Sequence, residues 1–210
     1  MTRGAAIYGA GGHGRVVASI LKARQVPVVG FFDDGCQPGA TIGGVPVLGD
    51  RFDLTQKHRE RITAGYLAIG DNLIRLQLLD VMRREGLPIP PLVHPRAWVE
   101  EGVWIGDGCV VAMGAMVATE ASIGQACILN TGCCLEHEAV LGDAVHLAPR
   151  ATVAGRTVIG EGAFVGMGAV VAQGLTIGKR VVIGANSVVL TDTPDGSKIV
   201  GVHHKQTRQA

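Results

Sequence analysis

The chain has 210 residues, enough for one large domain or two small ones. Its 19 Lys and Arg residues against 18 Asp and Glu leave a formal charge of +1, which disfavours nucleic acid and anionic membrane surfaces as partners. Aromatic residues make up only 4% while glycine reaches 31 residues, so we expect a core of small and branched aliphatic side chains.

The apolar segments and the cysteines favour a cytoplasmic protein without a membrane span. The apolar run Ala5–Tyr8 is shorter than the roughly 7–15 residues at the centre of a secretory signal. The uncharged stretch Gly162–Gly178 is shorter than the roughly 20 residues of a spanning helix and is interrupted by glycines. The five cysteines show no CxxC spacing, as expected for reduced thiols.

Residues 1–92 alternate short strand-like runs with helix-like ones. The strand-like runs are Ala5–Tyr8, Val28–Phe32 and Tyr66–Ile69. Between them, Arg15–Arg24 and Leu73–Glu85 place aliphatic residues at the spacing of amphipathic helices. This alternation predicts βαβ units around a parallel sheet, a small Rossmann-like α/β domain. Three prolines within 88–91 mark its end.

A glycine-rich loop, Gly9-Ala10-Gly11-Gly12-His13-Gly14, follows the first predicted strand, with Asp33 about 20 residues further on, as in dinucleotide-binding proteins. The amides at a helix N-terminus also bind the pyrophosphate of other ligands. This half lacks a second nucleotide-binding unit and an acid–base set. A nucleotide-sugar is therefore favoured over a dinucleotide, and a purely structural strand–helix turn is a further alternative.

From Val93 to Ile183 every sixth residue is a branched aliphatic, through 16 hexads without an insertion. The fifth position of each hexad is small or modest, and the second is often Gly or Ala. A period of six fits neither an α-helix nor a plain strand, but it fits a solenoid whose coil has three flat sides. Residues 93–210 are therefore predicted to form a parallel β-helix about 25 Å tall, at ~4.8 Å per coil, with a short C-terminal segment.

Glu136-His137-Glu138 occupies positions two to four of its hexad, at or near a corner of the coil. The side chain of His137 can face outward there, and a neighbouring carboxylate can orient the ring and raise its basicity. Gly155 lies one coil further on, where its amide could face a developing oxyanion. A solvated corner and ordinary turn chemistry are the alternatives.

These motifs resemble known proteins. The hexads resemble the left-handed parallel β-helix acyltransferases, and the two-domain layout resembles the NeuD/PglD group of sugar acyltransferases. The resemblance spans essentially the whole chain, through Ile7–Gly14, Phe32-Asp33-Asp34, Ala68-Ile69-Gly70, Val93-His94-Pro95 and Leu129–Glu138. It implies a left-handed β-helix, a homotrimer with active sites between neighbouring prisms, and acetyl-CoA-dependent N-acylation of a nucleotide-linked amino-sugar for glycan biosynthesis.

The resemblance also implies residue roles. His137 would be the general base, with Glu138 as its orienting acid and Glu136 as a competitor for that role. The acyl-CoA would contact His146 near its thioester, and Gly155, Met167 and Ala185 further along. The nucleotide-sugar would contact Gly12, His13, Gly14, Asp33, Asp34 and Gly70. No metal is implied. The chain departs from the family's Gly-x-Pro-Ala ending at Gly201-Val202-His203-His204-Lys205, which concerns the adenine end of CoA.

Three other functions remain open at this point. An O-acetyltransferase of a sialic-acid-like sugar would share the layout. A metal-dependent hydratase resembling the γ-class carbonic anhydrases would use three zinc ligands, for which His137 and His146 are the solenoid candidates beyond His94. A binding module without catalysis is the third. The sequence does not distinguish UDP from GDP in the substrate, nor does it name the sugar.

Overall fold

The structure, a computed structural model, describes residues 3–204. Its N-terminal domain is a five-stranded sheet flanked by two helices, with strand order β3-β4-β2-β1-β5. All neighbouring strands are parallel except β3 and β4. The elements are β1 (Gly4–Tyr8), α1 (Gly12–Ala23), β2 (Val28–Phe32), β3 (Thr41–Ile42), β4 (Val45–Gly49), a π-helical turn (Asp53–Lys57), a 3₁₀ turn (Arg59–Arg61), β5 (Ile62–Leu67) and α2 (Asn72–Arg84).

The predicted α/β fold is confirmed, with two differences. First, the sheet is mixed rather than parallel, because an antiparallel hairpin, β3–β4, lies at its edge; this hairpin was not predicted. The two-residue loop of the hairpin, Gly43-Gly44, has φ of 58° and 83°, as a tight hairpin turn requires. The third predicted strand, Tyr66–Ile69, begins earlier, at Ile62, and ends at Leu67. Its last two predicted residues instead belong to the loop that leads to α2.

The second domain is a β-helix of three parallel sheets, which confirms the solenoid. Sheet I contains β6-β9-β12-β15-β18-β21-β23, sheet II contains β7-β10-β13-β16-β19-β22-β24, and sheet III contains β8-β11-β14-β17-β20. The strands are β6 (Leu92–Val93), β7 (Trp98–Val99), β8 (Trp104–Ile105), β9 (Val110–Val111), β10 (Met116–Val117), β11 (Ser122–Ile123), β12 (Ile128–Leu129), β13 (Cys134–Leu135), β14 (Val140–Leu141), β15 (His146–Leu147), β16 (Thr152–Val153), β17 (Val158–Ile159), β18 (Phe164–Val165), β19 (Val170–Val171), β20 (Thr176–Ile177), β21 (Val182–Ile183), β22 (Val188–Val189), β23 (Lys198–Ile199) and β24 (Val202–His203).

The hexads determine both the inside and the corners of this coil. Residues 18 apart pair in register, as Met116 does with Cys134, so three hexads make one coil. First-position side chains from Val111 to Val189 stack inward and are at most 2% exposed. All 15 fourth positions from Gly102 to Asn186 have φ between 53° and 81°, and eight of them are not glycine. This left-handed conformation turns the chain from one sheet to the next.

The N-terminal domain packs on the first coils of sheet I. Leu92, Val110 and Ala112 share one hydrophobic cluster with β1 and α1. Ala126, at a corner of the second coil, joins another cluster with Leu79 and other residues of α2. The proposed boundary between the domains, after residue 92, falls within β6, the first β-helix strand (Leu92–Val93). The division into domains 1–92 and 93–210 stays a prediction.

The last coil is shorter than the others. Val182 pairs with Lys198 and Val188 pairs with Val202, so the spacing of 18 falls to 16 and then to 14. Pro194 lies in the turn where the coil contracts, and it follows Thr193, which bridges to Ile177. In the part of the chain that the structure describes, no helix is long and apolar enough to cross a membrane.

Candidate active site

His137 lies at the corner that joins sheet II to sheet III, between β13 and β14. Its Nδ1 is 2.9 Å from Oε2 of Glu138, and both side chains are almost half exposed, at 44% and 45%. An ionised carboxylate only accepts hydrogen bonds, so the ring donates its Nδ1 proton and keeps a lone pair on Nε2. Glu136, the competing acid, instead accepts from the thiol of Cys134 at 3.5 Å. The corner therefore presents an oriented, partly solvated imidazole that is able to accept a proton.

Gly155 lies directly against the His137 ring, one coil further on. A Cβ added to Gly155 would lie 2.6 Å from both Cε1 and Nε2 of the ring and 3.0 Å from Nδ1. The backbone N–H of Arg156 donates to the carbonyl of His137 at 2.9 Å, which holds the two coils together. Gly155 is buried, and it is the only glycine at a third position in the hexads. Because Gly155 has no side chain, the imidazole of His137 can occupy the space beside it.

Of the residues predicted to contact CoA, Gly155 shares this corner, whereas Met167, Ala185 and His146 do not. Met167 and Ala185 are both third-position residues, but their corner joins sheet I to sheet II. The Met167 side chain is 57% exposed there. His146 points outward from sheet I, which lies opposite the corner of His137 in a three-sided prism. Within one chain, His137, Met167 and His146 are therefore on different sides of the β-helix.

The structure instead places His146 near His13, where the two domains meet. His13 lies in the first turn of α1, and a charge on it would oppose protonation of His146. Asn130 Nδ2 donates to His146 Nε2 at 3.3 Å, so His146 carries its proton on Nδ1. Among the described residues, neither His13 Nε2 nor His146 Nδ1 has a hydrogen-bond partner, although both atoms are buried.

Both of these imidazoles are held uncharged. Burial, followed by the positive charge of Arg75, lowers the pKa of His13 to about 4. The same two causes, with a smaller contribution from His13, lower the pKa of His146 to about 3. Each ring therefore offers one donor and one acceptor nitrogen at neutral pH. His137, in contrast, has the carboxylate of Glu138 as its hydrogen-bond partner.

The glycine-rich loop leaves the N-terminus of α1 open. Its N-cap is Gly11, which has no capping side chain, and the first turn contains no acidic residue. Gly12 is exposed, with nothing within 4 Å of an added Cβ, so it faces open space. A Cβ on Gly14 would collide with the carbonyl oxygen of Gly9, so this glycine is needed for the helix to pack on β1. Unpaired amides beside Gly12 suit an anionic group.

Asp33 and Asp34 follow β2 and line a cavity of about 400 Å³. Asp33 accepts from the N–H of Ala10 at 2.7 Å and from that of Gly35 at 2.8 Å, which ties the glycine-rich loop to the end of β2. Asp34 accepts from the backbone N–H of Arg51 at 3.2 Å. The other lining residues are Tyr8, Arg51, Ile69, Ile74, Gln77, Leu78 and Val81.

Tyr8 lines the same cavity, and Gly70 follows the lining residue Ile69. Burial, followed by a hydrogen bond and the charge of Asp34, raises the pKa of the Tyr8 hydroxyl well above its usual range. Gly70 has open space around its Cα, and its carbonyl accepts from Arg75 at 3.3 Å. Gly12 and His13 thus lie at the open end of α1 and Asp33 and Asp34 line the neighbouring cavity, whereas Gly14 is buried against β1.

Sequence reasoning missed Tyr8, Arg51 and Arg75. For Arg75 a signal was present, because it falls on the apolar stripe of α2 with Leu78, Leu79 and Met82. Within residues 3–204 no three His, Cys, Asp or Glu side chains are grouped closely enough to hold a metal ion. Of the divergent C-terminal motif, Val202–His203 forms β24, and Lys205 lies outside the described residues.

Family models match both halves of the chain. The PglD N-terminal domain matches residues 5–82. The bacterial transferase hexapeptide (six repeats) matches 156–191, and the hexapeptide repeat of succinyl-transferase matches 96–118. A search of curated proteins returned no match.

Solved structures match nearly the whole chain. A histidine-to-asparagine mutant of perosamine N-acetyltransferase from Caulobacter crescentus, in complex with CoA and GDP-perosamine, is 36% identical over 94% of this chain and 93% of its own, with a TM-score of 0.90. The acetyltransferase domain of PglB from Neisseria gonorrhoeae, in complex with acetyl coenzyme A, is 33% identical over 94% and 96%, with a TM-score of 0.87. WeeI from Acinetobacter baumannii is 28% identical over 95% and 97%, also with a TM-score of 0.87. This chain therefore belongs to the PglD-type family of acetyl-CoA-dependent sugar N-acetyltransferases.

Proposed function

We propose that this enzyme transfers the acetyl group of acetyl-CoA to the amine of a nucleotide-linked 4-amino-4,6-dideoxy sugar, with His137 as general base. The observation that carries the proposal is the corner geometry. Glu138 engages Nδ1 of His137, which leaves Nε2 able to accept a proton. A GDP-linked sugar is the first candidate, because the perosamine N-acetyltransferase binds GDP-perosamine and is 36% identical to this chain.

The amine nitrogen attacks the thioester carbonyl carbon, and the new N–C bond forms as the carbonyl π electrons move to oxygen. Nε2 of His137 takes the proton from the amine. Collapse of the tetrahedral intermediate breaks the C–S bond, and the same proton passes to the departing thiolate, giving an amide and free CoA. No acyl-enzyme is needed. General-base help contributes about 10²–10⁴ in rate, and positioning of the two substrates supplies a further share.

The N-terminal domain would hold the nucleotide. The pyrophosphate would bind at the open N-terminus of α1, beside Gly12. The base and ribose would occupy the cavity lined by Asp33, Asp34 and Ile69, the residue that precedes Gly70. The carboxylate of Asp33 already holds the loop through Ala10, so it would also act by shaping that loop.

We further propose that the active site is completed in a homotrimer. His137 lies at one corner of the prism, whereas His146 and the N-terminal domain lie on the opposite face, so one chain does not bring them together. In a trimer the corner of one prism would face the next subunit, with acetyl-CoA between them and Met167 and Ala185 along its path. Trp98 and Trp104, exposed at 65% and 71% on the first coil, are apolar surfaces that such packing would cover.

The test is a thiol-release assay with acetyl-CoA and GDP- or UDP-linked 4-amino-4,6-dideoxy sugars, with product identified by mass spectrometry. His137→Ala should lower kcat by roughly 10²-fold or more with little change in KM, because it removes a proton acceptor rather than a binding contact. Glu138→Ala should have a smaller effect. Glu136→Ala is the matched control, since this neighbouring acid does not bond the ring.

Two outcomes would contradict the proposal. A His137→Ala enzyme with near-normal kcat would place the base elsewhere. Acetylation of a sugar hydroxyl while the amino-sugars remain unmodified would make the protein an O-acetyltransferase.

A further inference from the structure

Arg75 is a fully buried cation at the junction of the two domains. It projects from the first turn of α2, and its side chain is 0% exposed. Its guanidinium reaches both domains at once. The acceptors are Ala126 O at 2.7 Å, Ile69 O at 2.8 Å, Asn72 Oδ1 at 2.9 Å, Gly70 O and Ala144 O at 3.3 Å, and Asp71 O at 3.4 Å.

No carboxylate among the described residues accepts from this guanidinium. The nearby Asp71 uses its side chain to cap α2, accepting from the N–H of Ile74 at 2.9 Å. Cys127 and Cys109 also lie near Arg75, but burial raises the pKa of the Cys127 thiol well above its usual range, so this thiol carries no charge at neutral pH. Burial lowers the pKa of Arg75 to about 10, so it stays charged at neutral pH. A buried charge without an opposite charge is costly, and well-packed apolar residues would serve docking alone equally well.

The contacts of Arg75 join the two parts of the site. Ile69 lines the cavity proposed for the nucleotide, and Gly70 and Asp71 follow it in the loop that leads to α2. Ala126 and Ala144 are fourth-position corner residues of consecutive coils in the β-helix, and His146 follows Ala144 by two residues. The guanidinium therefore fixes the nucleotide loop relative to the strand that carries His146.

We propose that Arg75 is a positioning residue of the acceptor site: by joining the 69–71 loop to the β-helix corners at Ala126 and Ala144, it fixes His13 and His146 near each other, each with a free ring nitrogen to hydrogen-bond the amino-sugar. For His146 this replaces the acyl-CoA contact that the family resemblance implies. This inference rests on the proposed function for its ligand. The geometry does not depend on the proposed function, because the unpartnered Nε2 of His13 and Nδ1 of His146 are features of the chain itself. Nearby positive charge disfavours protonation of both rings, which supports the proposed role.

The test compares Arg75→Met, which removes the charge, with Arg75→Lys, which keeps it but cannot make the same set of hydrogen bonds. Arg83→Met is the matched control. Arg83 also leaves α2 to reach the β-helix, at Asp107 Oδ2 (3.0 Å) and Gln125 Oε1 (2.6 Å), but its side chain is 45% exposed. Histidine pKa values are read by NMR titration, with His13→Gln and His146→Gln assigning the signals, and KM is measured for both substrates.

In Arg75→Met we expect the pKa values of both histidines to rise, and the KM for the nucleotide-sugar to increase about tenfold or more while that for acetyl-CoA changes less than twofold. A tenfold change corresponds to about 1.4 kcal/mol, within the range of a lost charge-assisted hydrogen bond. Arg75→Lys should keep the low pKa values and still raise the sugar KM. Arg83→Met should change neither.

Unchanged histidine pKa values in a folded Arg75→Met protein would overturn the proposal. If Arg75→Met does not fold, Arg75→Lys decides: wild-type KM values for both substrates would overturn the positioning role, and a selective rise for the nucleotide-sugar would support it. The NMR readout needs no substrate. It therefore separates failure of this inference from failure of the proposed function, which the His137 variants test independently.

Discussion

Gly155→Ala is a one-carbon change that tests whether the position of the His137 ring controls the reaction. The new Cβ would lie 2.6 Å from Cε1 and Nε2 of the imidazole. Ordinary carbon contacts lie at about 3.5 Å or more, so one of the two groups must move by about 1 Å. The Gly155 backbone is anchored, because its carbonyl accepts from Gly174 at 3.0 Å. The half-exposed ring should therefore move, losing its 2.9 Å contact with Glu138.

A misplacement of about 1 Å at a catalytic group costs on the order of 10²-fold in rate, so we expect kcat of Gly155→Ala to fall by about that factor. The alanine still has an N–H, and Gly155 does not have the φ that would make alanine strained. The melting temperature should therefore change little. Steady-state kinetics by thiol release and thermal unfolding measure the two effects. Gln173→Ala, on the same corner one coil further on, is the control.

The double variant His137→Ala/Gly155→Ala distinguishes the possible causes. If Gly155 acts only through the ring, the double variant should be no slower than His137→Ala alone, because the two effects would not add. A double variant that is much slower would mean that Gly155 contributes directly, for example through its amide at the oxyanion. Unchanged kcat in Gly155→Ala would refute the steric reasoning.

Three further predictions concern the N-terminal domain and the junction. The folded state lowers the pKa values of His13 and His146 from 6.5 to about 4 and about 3, so the unfolded chain binds more protons than the folded chain below pH 6.5. The free energy of unfolding should therefore fall by a few kcal/mol as the pH drops from 6.5 towards 4. Thermal unfolding at several pH values measures this loss, which should be smaller in the double variant His13→Gln/His146→Gln. Gly14→Ala should lower the free energy of unfolding, measured by chemical denaturation, by about 1–3 kcal/mol, because the new Cβ would collide with the Gly9 carbonyl. Gly12→Ala should leave it nearly unchanged, and equal losses in the two variants would contradict the assignment of the two glycines. Asp33→Asn should raise the KM for the nucleotide-sugar about tenfold by weakening the hydrogen bond from the Ala10 N–H, with no change for acetyl-CoA; a parallel loss for both substrates would indicate general destabilisation.

The β-helix could be predicted closely because its period is a direct consequence of its geometry. A coil of three six-residue sides buries one side chain at each first position, so Leu135 and Leu141 identify the register from the sequence alone. The register then places His137 at a corner. It does not reveal that Gly155 supports the ring, although a sole glycine among the third positions is a usable signal.

The N-terminal domain was less predictable because its sheet has no strict repeat. The strand Ile62–Leu67 contains Ala64 and Gly65, which have weak strand preferences, so the prediction moved towards Tyr66–Ile69. The role of Arg75 depends on carbonyl groups as far away as Ala144 in the sequence. Such a contact has no local pattern, and only the packing of the two domains creates it.

The contraction of the last coil has a consequence for how the protein behaves in a crowded cell. A regular solenoid ends in exposed edge strands that could pair with the same edge of another molecule and extend into a fibre. Here β23 and β24 leave the 18-residue register, pairing with residues 16 and 14 positions earlier, after the turn that contains Pro194. Lys198 also places a charge on the outer side of β23. A further coil would find no matching ladder, so this end of the prism resists end-to-end aggregation.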